Sequence, residues 1–178
     1  MKFVPLKRPD DATILADIAA VEKTLETELS QEIKAFLFEA AGAYPEPSGF
    51  SIPPTPWQED GDADELEWFF GRSDGPYVRD VEAYLGRVPN NFLPFGTDGF
   101  GNPICVAFAP DDFGSQVGSV WFWDHERESP DGGDDRTNCY KLADSIQEFL
   151  DGLYELEEDE DDEDYDDEDE YDEDEYDE

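Results

Sequence analysis

The chain has 178 residues, of which 50 are Asp or Glu and 11 are Lys or Arg, for a formal net charge of −39. Phosphates repel a surface this acidic, which argues against nucleic acid or an anionic membrane as its target and in favour of basic partners. The charge is unevenly spread: the last 24 residues, Glu155 to Glu178, hold 20 of the acids and no base, leaving 30 acids against 11 bases in the body.

This length fits one domain and a tail. The composition divides it into an N-terminal arm over 1–11, a folded domain over 12–154 and an Asp/Glu-rich tail over 155–178. The tail holds too little apolar surface to offset chain entropy and repels itself, so it is expected to be disordered, serving either solubility or a partner. Cys105 and Cys139 are the only cysteines, lie far apart and lack metal-ligand spacing. The N-terminus has no signal-like apolar core, and no apolar stretch approaches the length of a membrane span, so a reduced, cytoplasmic setting is expected.

In chain order, the first nine residues read as a basic, proline-broken arm. Asp10, Asp11 and Thr13 start a helix whose apolar stripe is Ile14, Ile18, Val21, Leu25 and Leu29. Ser30 caps a second helix burying Ile33, Phe36, Leu37 and Ala40, with Glu32 in its first turn and Gly42 as its stop. Residues 43–66 carry five prolines and read as a long loop with at most one short strand around Phe50–Ile52. Leu66, Trp68, Phe69 and Phe70 form a strand or turn against the core. Trp57, Trp68, Phe69 and Phe70 beside an acidic loop fit either a partner-binding patch or the core, and core is the default. A third helix runs from Tyr77 to Leu85, with Val78, Val81 and Leu85 on its inner side, and ends at Gly86.

Three strands then follow: Phe92–Phe95, Ile104–Ala109 and Val120–Trp123. In the last of these, Val120 and Phe122 point one way and Trp121 and Trp123 the other, so both faces are apolar and the strand is central. The connections are too short for crossover helices, which makes the pairing antiparallel. Arg127–Asn138 is a polar loop. Leu142, Ile146, Phe149, Leu150 and Leu153 form a closing helix capped by Asp144 or Ser145.

Candidate chemistry is sparse. His125 lies between Asp124 and Glu126, an arrangement suited to proton transfer, but no nucleophile accompanies it and a loop-holding role is favoured. Gly96-Thr97-Asp98-Gly99-Phe100-Gly101 looks like a phosphate loop, yet it leads into a strand and carries an acid, so it reads as a strand connection with glycines at positive φ. Asp60-Gly61-Asp62-Ala63-Asp64 opens like a calcium loop but has Glu65 where glycine belongs and Gly71 where the bidentate Glu belongs. No catalytic, cofactor or metal site is assigned, and the chain is expected not to be an enzyme.

Three motifs in order carry a family resemblance: Asn91-Phe92-Leu93-Pro94-Phe95-Gly96 leading to Asp98-Gly99-Phe100-Gly101-Asn102, then Val120-Trp121-Phe122-Trp123-Asp124-His125-Glu126, then Leu142 to Leu150. Leu29 to Leu37 fits as well, with Leu-Ser where Leu-Pro is usual. Over roughly residues 12 to 153 the chain resembles the SMI1/KNR4 family of the SUKH superfamily. The resemblance implies an α+β fold, a mostly antiparallel central sheet flanked by helices. It implies a structural part for Gly96, Asp98, Gly99, Gly101, Asn102, Trp123, Asp124, His125 and Glu126. Bacterial members look like immunity proteins that bind and neutralise toxins, many of them nucleases, whereas eukaryotic members resemble regulatory interaction proteins. The expected partner is therefore a basic protein, with Asp60, Asp62, Asp64 and Glu65 as expected contacts on a loop. A chaperone of basic proteins acting through the tail is the further alternative.

Overall fold

The structure, a computed structural model, describes residues 1–128 and 136–156. The tail over 157–178 and the centre of the polar loop, 129–135, lie outside the described residues. The elements are β1 (Lys2–Pro5), α1 (Asp11–Thr24), α2 (Gln31–Ala40), β2 (Ala43–Glu46), β3 (Gly49–Ile52) and β4 (Asp62–Phe69). They continue with α3 (Tyr77–Glu82), β5 (Phe92–Asp98), β6 (Pro103–Ala107), β7 (Val120–Trp123), β8 (Cys139–Ala143) and α4 (Ile146–Asp151).

Local chemistry sets the helix starts. Asp10 caps α1 by accepting the Thr13 N–H at 3.0 Å, and Ser30 caps α2 by accepting the Ile33 N–H at 3.2 Å. Ser145, the second of the two expected caps, accepts the Glu148 N–H at the start of α4. The apolar stripe of α1 buries Ile14, Ile18 and Val21, and α2 buries Ile33, Phe36, Leu37 and Ala40.

Strands β3 to β8 form one sheet in sequence order, and every pair is antiparallel. The sheet curls until its two edge strands, β3 and β8, come into contact, which leaves it nearly barrel-like. Phe50 of β3 lies 6.1 Å from the ring of Phe122 on β7 and 6.1 Å from that of Phe149 on α4. The fold is α+β, as expected.

The alternation of β7 works as its sequence implies. Val120 and Phe122 join the main core with Leu93, Phe95, Ile104 and the helices, while Trp121 and Trp123 join a second cluster with Val88, Phe92 and Cys105. Phe95 lies in the middle of the main core, its ring edge-on to Phe36 at 5.0 Å and near Phe149 at 6.1 Å. Tyr84 and Arg87 cover the second cluster. The Arg87 guanidinium lies 5.3 Å over the Trp123 ring and pairs with Glu128 at 2.7 Å. Burial pushes the Cys105 thiol well above its ordinary range, so it is a packing group rather than a nucleophile.

Several sequence expectations are corrected. The arm is not free: Lys2–Pro5 pairs antiparallel with Ala43–Glu46 as a two-stranded sheet. Residues 43–66 are not one loop, since β2, β3 and the first half of β4 lie within them. The third helix ends at Glu82, leaving Leu85 42% exposed. Leu142 belongs to β8 rather than to the closing helix. Strand β5 runs on to Asp98, past the expected stop at Phe95, and β6 ends at Ala107, short of Ala109. Gly96 falls at a register shift in β5, where a Cβ would lie 2.9 Å from Leu66 Cδ1 and 3.0 Å from the Trp68 carbonyl oxygen. Close approach, not positive φ, requires glycine there.

Phe95→Ala removes a ring from the middle of the main core and should cost about 3–5 kcal/mol in urea denaturation. Phe100→Ala, at a site 78% exposed, should stay within about 0.5 kcal/mol of the parent. A Phe95→Ala protein as stable as the parent would contradict this packing.

Candidate functional site

The strand registers bring three connections to one end of the sheet: β3–β4 (53–61), β5–β6 (99–102) and the segment after β7 that begins at Asp124. The first two family motifs and the acidic run therefore meet at one mouth, although they are far apart in sequence.

Asp98 organises the β5–β6 turn. It is 1% exposed, and its carboxylate accepts the N–H groups of Phe100 at 2.9 Å and Asn102 at 2.7 Å, together with the Asn102 side-chain Nδ2–H. Gly101, at φ +92°, lets the chain close this turn. Asn102 then reaches across to the other motif, where its Oδ1 accepts the His125 backbone N–H at 2.9 Å and contacts His125 Nδ1 at 2.7 Å. A backbone N–H only donates, so the amide orientation is fixed: oxygen towards His125 and nitrogen towards Asp98. His125 Nδ1 must then carry a proton to share that oxygen, which leaves Nε2 with the lone pair in the neutral ring.

Asp124 closes the third side. Its carboxylate accepts the Glu126 N–H at 3.0 Å, its own N–H donates to the Asn138 carbonyl at 3.0 Å, and Asn138 Nδ2 returns to the Asp124 carbonyl at 2.8 Å. Asp124, His125 and Asn102 thus form a hydrogen-bonded frame, which is the loop-holding role favoured from sequence. Trp123, 1% exposed, anchors this frame in the second cluster.

The frame borders a cleft of about 530 Å³, walled by Trp57, Phe122 and Tyr140 on its aromatic side and by Asp62, Asp64, Asp124 and Glu126 on its acidic side. Thr55 Oγ1 holds the Trp57 loop by accepting the N–H groups of Trp57 and Gln58 at 3.2 and 3.0 Å. The Trp57 indole N–H donates to the Tyr140 hydroxyl at 3.3 Å, and the Arg127 guanidinium lies 4.9 Å over the Trp57 ring.

The four expected contact acids are divided by the structure. Asp62, Asp64 and Glu65 lie on strand β4, not on a loop, and only Asp60 remains in a turn. Asp62 and Asp64 line the cleft. Glu65 points to the opposite face, where the Ser48 hydroxyl donates to it at 2.6 Å. Burial pushes the Asp64 carboxyl up to about 7, helped by a hydrogen bond and charge repulsion from Asp98 and by the charge of Asp62. Below about 7 the Asp64 carboxyl therefore keeps its proton in this half-buried place.

Phe100, Arg127 and Tyr140 carry no site expectation from sequence, and the structure divides the four aromatics weighed as a partner patch or core. Trp57 is 58% exposed instead of in the core, and Trp68 is half-buried, while Phe69 and Phe70 are buried as expected. The available signal for Trp57 was its setting: a tryptophan between prolines and acids, with no apolar alternation around it. Among the described residues, no three His, Cys, Asp or Glu side chains group as metal ligands, and no helix is long and apolar enough to cross a membrane.

The chain is thus a curled antiparallel sheet packed against helices, with an aromatic and acidic cleft at one end. The SMI1/KNR4 (SUKH-1) family model matches residues 15–152, and the chain belongs to that family. It is also similar to the SPbeta prophage-derived uncharacterized protein YokK of Bacillus subtilis (strain 168), with 27% identity over 158 residues covering 80% of this chain and 76% of YokK. No solved structure matches significantly.

The raised Asp64 sets a sign for pH dependence. Between the ordinary carboxylate range and about 7 the unfolded chain gives up this proton while the folded chain keeps it, so stability falls as pH rises through that window and levels off above it. In Asp64→Asn an uncharged amide that does not titrate stands in place of the protonated carboxyl. Its Tm advantage over the parent should widen between pH 5 and 7, reach about 2–4 °C, and stay constant above. A pH-independent difference in thermal melts would show that Asp64 ionises normally.

Proposed function

We propose that the chain is a non-enzymatic protein-binding domain of immunity type, which binds and neutralises a cognate toxin by occluding its basic, nucleic-acid-binding surface. The observation that carries this reading is an acidic body within the family, with 30 acids against 11 bases before the tail begins. A nuclease presents a basic groove to nucleic acid, and a carboxylate-rich surface competes for it with like charge. Long-range attraction accelerates the encounter, and contacts at the interface then set how long the complex lasts. In this reading the partner's basic face meets the mouth, where Asp60, Asp62 and Asp64 cluster, while Glu65 on the far face contributes only to the overall field. The tail adds 20 acids to the attraction.

Two other readings give different outcomes in one experiment. The full chain and a version ending at Leu156 serve as baits in an extract of the native host, at about 0.01 M and about 0.15 M salt, where screening lengths are about 30 Å and about 8 Å. The immunity reading expects one basic partner kept by both baits at the higher salt, whose cleavage of nucleic acid stops at a stoichiometric amount of the full chain. Many basic proteins, lost with the tail or with salt, would instead identify a polyanionic chaperone. A retained partner with no toxic activity would identify a regulatory interaction protein.

A further inference from the structure

We propose that the cleft at the mouth is the seat of one arginine side chain from the protein partner, which takes the place Arg127 holds on the Trp57 ring and pairs with Asp62 and Asp64. This deepens the protein-binding reading above and rests on it.

Four features of the cleft converge on a guanidinium. The first is the aromatic wall. Trp57 is 58% exposed and Phe100 78% exposed at the rim of a concave space of about 530 Å³, large enough for a side chain and its stem. The second is that the wall already holds this chemistry. Arg127 stacks on Trp57 at 4.9 Å, yet it is half-exposed and its one ion pair among the described residues, to Asp124, is long at 3.9 Å. A group held this loosely yields its place at little cost, because an exposed pair contributes at most about 1 kcal/mol.

The third feature is uncompensated charge. Among the described residues, Asp62, Asp64, Asp98 and Glu126 have no ion-pair partner, whereas Asp111, Glu128 and Asp74 each pair with an arginine. The proton that Asp64 keeps below about 7 stands where a cation would otherwise be, and an entering guanidinium replaces it. The fourth is rigidity. Asp98, Asn102 and Thr55 hold the walls through backbone N–H groups, so little ordering is left for the moment of binding. The acids ring an aromatic surface instead of converging as metal ligands. A planar, weakly hydrated cation that both stacks and forks fits this arrangement better than the compact, hydrated ammonium of lysine.

The test uses the full chain labelled with ¹⁵N and three short probes: acetyl-Gly-Arg-Gly-amide and its lysine and citrulline counterparts. The arginine probe should shift the Trp57 indole N–H and the His125 amide, the lysine probe should bind more weakly, and uncharged citrulline should leave both unmoved. Binding should be about tenfold tighter at pH 8 than at pH 6, the ratio of ionised fractions for a carboxyl near 7. Asp62, Asp124, His125, Glu126, Arg127 and Tyr140 line the cleft with Asp64, and Asp98 lies buried behind it, so Asp64→Asn singles out the group responsible and should remove that pH dependence. The Asp62→Asn/Asp64→Asn double variant should weaken binding about tenfold or more, as expected for losing a charge-assisted pair. Equal shifts with citrulline, shifts confined to other sites, or undiminished binding by the double variant would overturn the proposal. A captured toxin with no arginine effect at Trp57 would remove the seat and leave the immunity reading standing. Arginine binding at Trp57 with no captured toxin would do the reverse.

Discussion

Two neighbours of Asn102 make opposite demands on it. Asp98, buried and already accepting two backbone N–H groups, calls for a further donor, while the His125 backbone N–H calls for an acceptor. A side-chain amide supplies both from one planar group. Aspartate in its place would bring a second carboxylate against Asp98, and alanine would leave a buried acid and a buried N–H short of partners, each costing about 1–3 kcal/mol. The β5–β6 turn and the segment after β7 are joined through this amide, and the shape of the cleft between them follows from it. The motif residues thus set geometry: they fix where the walls of the cleft stand.

Electrostatics complete that frame. The body carries its excess acid over the whole surface, but at the mouth burial and the neighbouring Asp98 raise the Asp64 carboxyl to about 7. Elsewhere some half-buried acids pair with arginine, Asp111 with Arg136 and Glu128 with Arg87, and others, Asp17 and Asp80, accept backbone N–H groups. Arginine is used throughout as an aromatic cover, over Phe38, Trp68, Trp123 and Phe92 as well as Trp57. On such a surface a guanidinium is a familiar neighbour for a ring, and the ring at the mouth is among the most exposed of those covered.

The parts of this fold that sequence reveals are those governed by short-range rules. The Asp10 and Ser30 caps, the α1 and α2 stripes, and the two apolar faces of β7 each follow from residues within one or two turns. What sequence conceals depends on partners far along the chain. Lys2–Pro5 becomes a strand only because Ala43–Glu46 pairs with it. Strand β4 was hidden because Asp62, Asp64, Glu65 and Glu67 blur its alternation, its first half lying at the open mouth where both faces are wet. Leu142 follows the helical spacing of Ile146 and Phe149, yet pairing with β7 draws it into a strand. The site was half legible for the same reason. The acids and the motif residues were visible as separate runs, whereas their convergence, and the aromatic wall of Trp57 and Tyr140, exist only once the sheet has curled.

The chain has a single histidine, so the frame reports on itself through one ring. A long-range ¹H–¹⁵N correlation spectrum of the full chain, recorded where His125 is neutral, distinguishes which ring nitrogen carries the proton. Donation to Asn102 Oδ1 requires the Nδ1–H tautomer with an unprotonated Nε2, and Asn102→Ala should abolish that preference. An Nε2–H ring in the parent protein would mean that Asn102 does not join the two motifs, and the geometry of the mouth would need another origin.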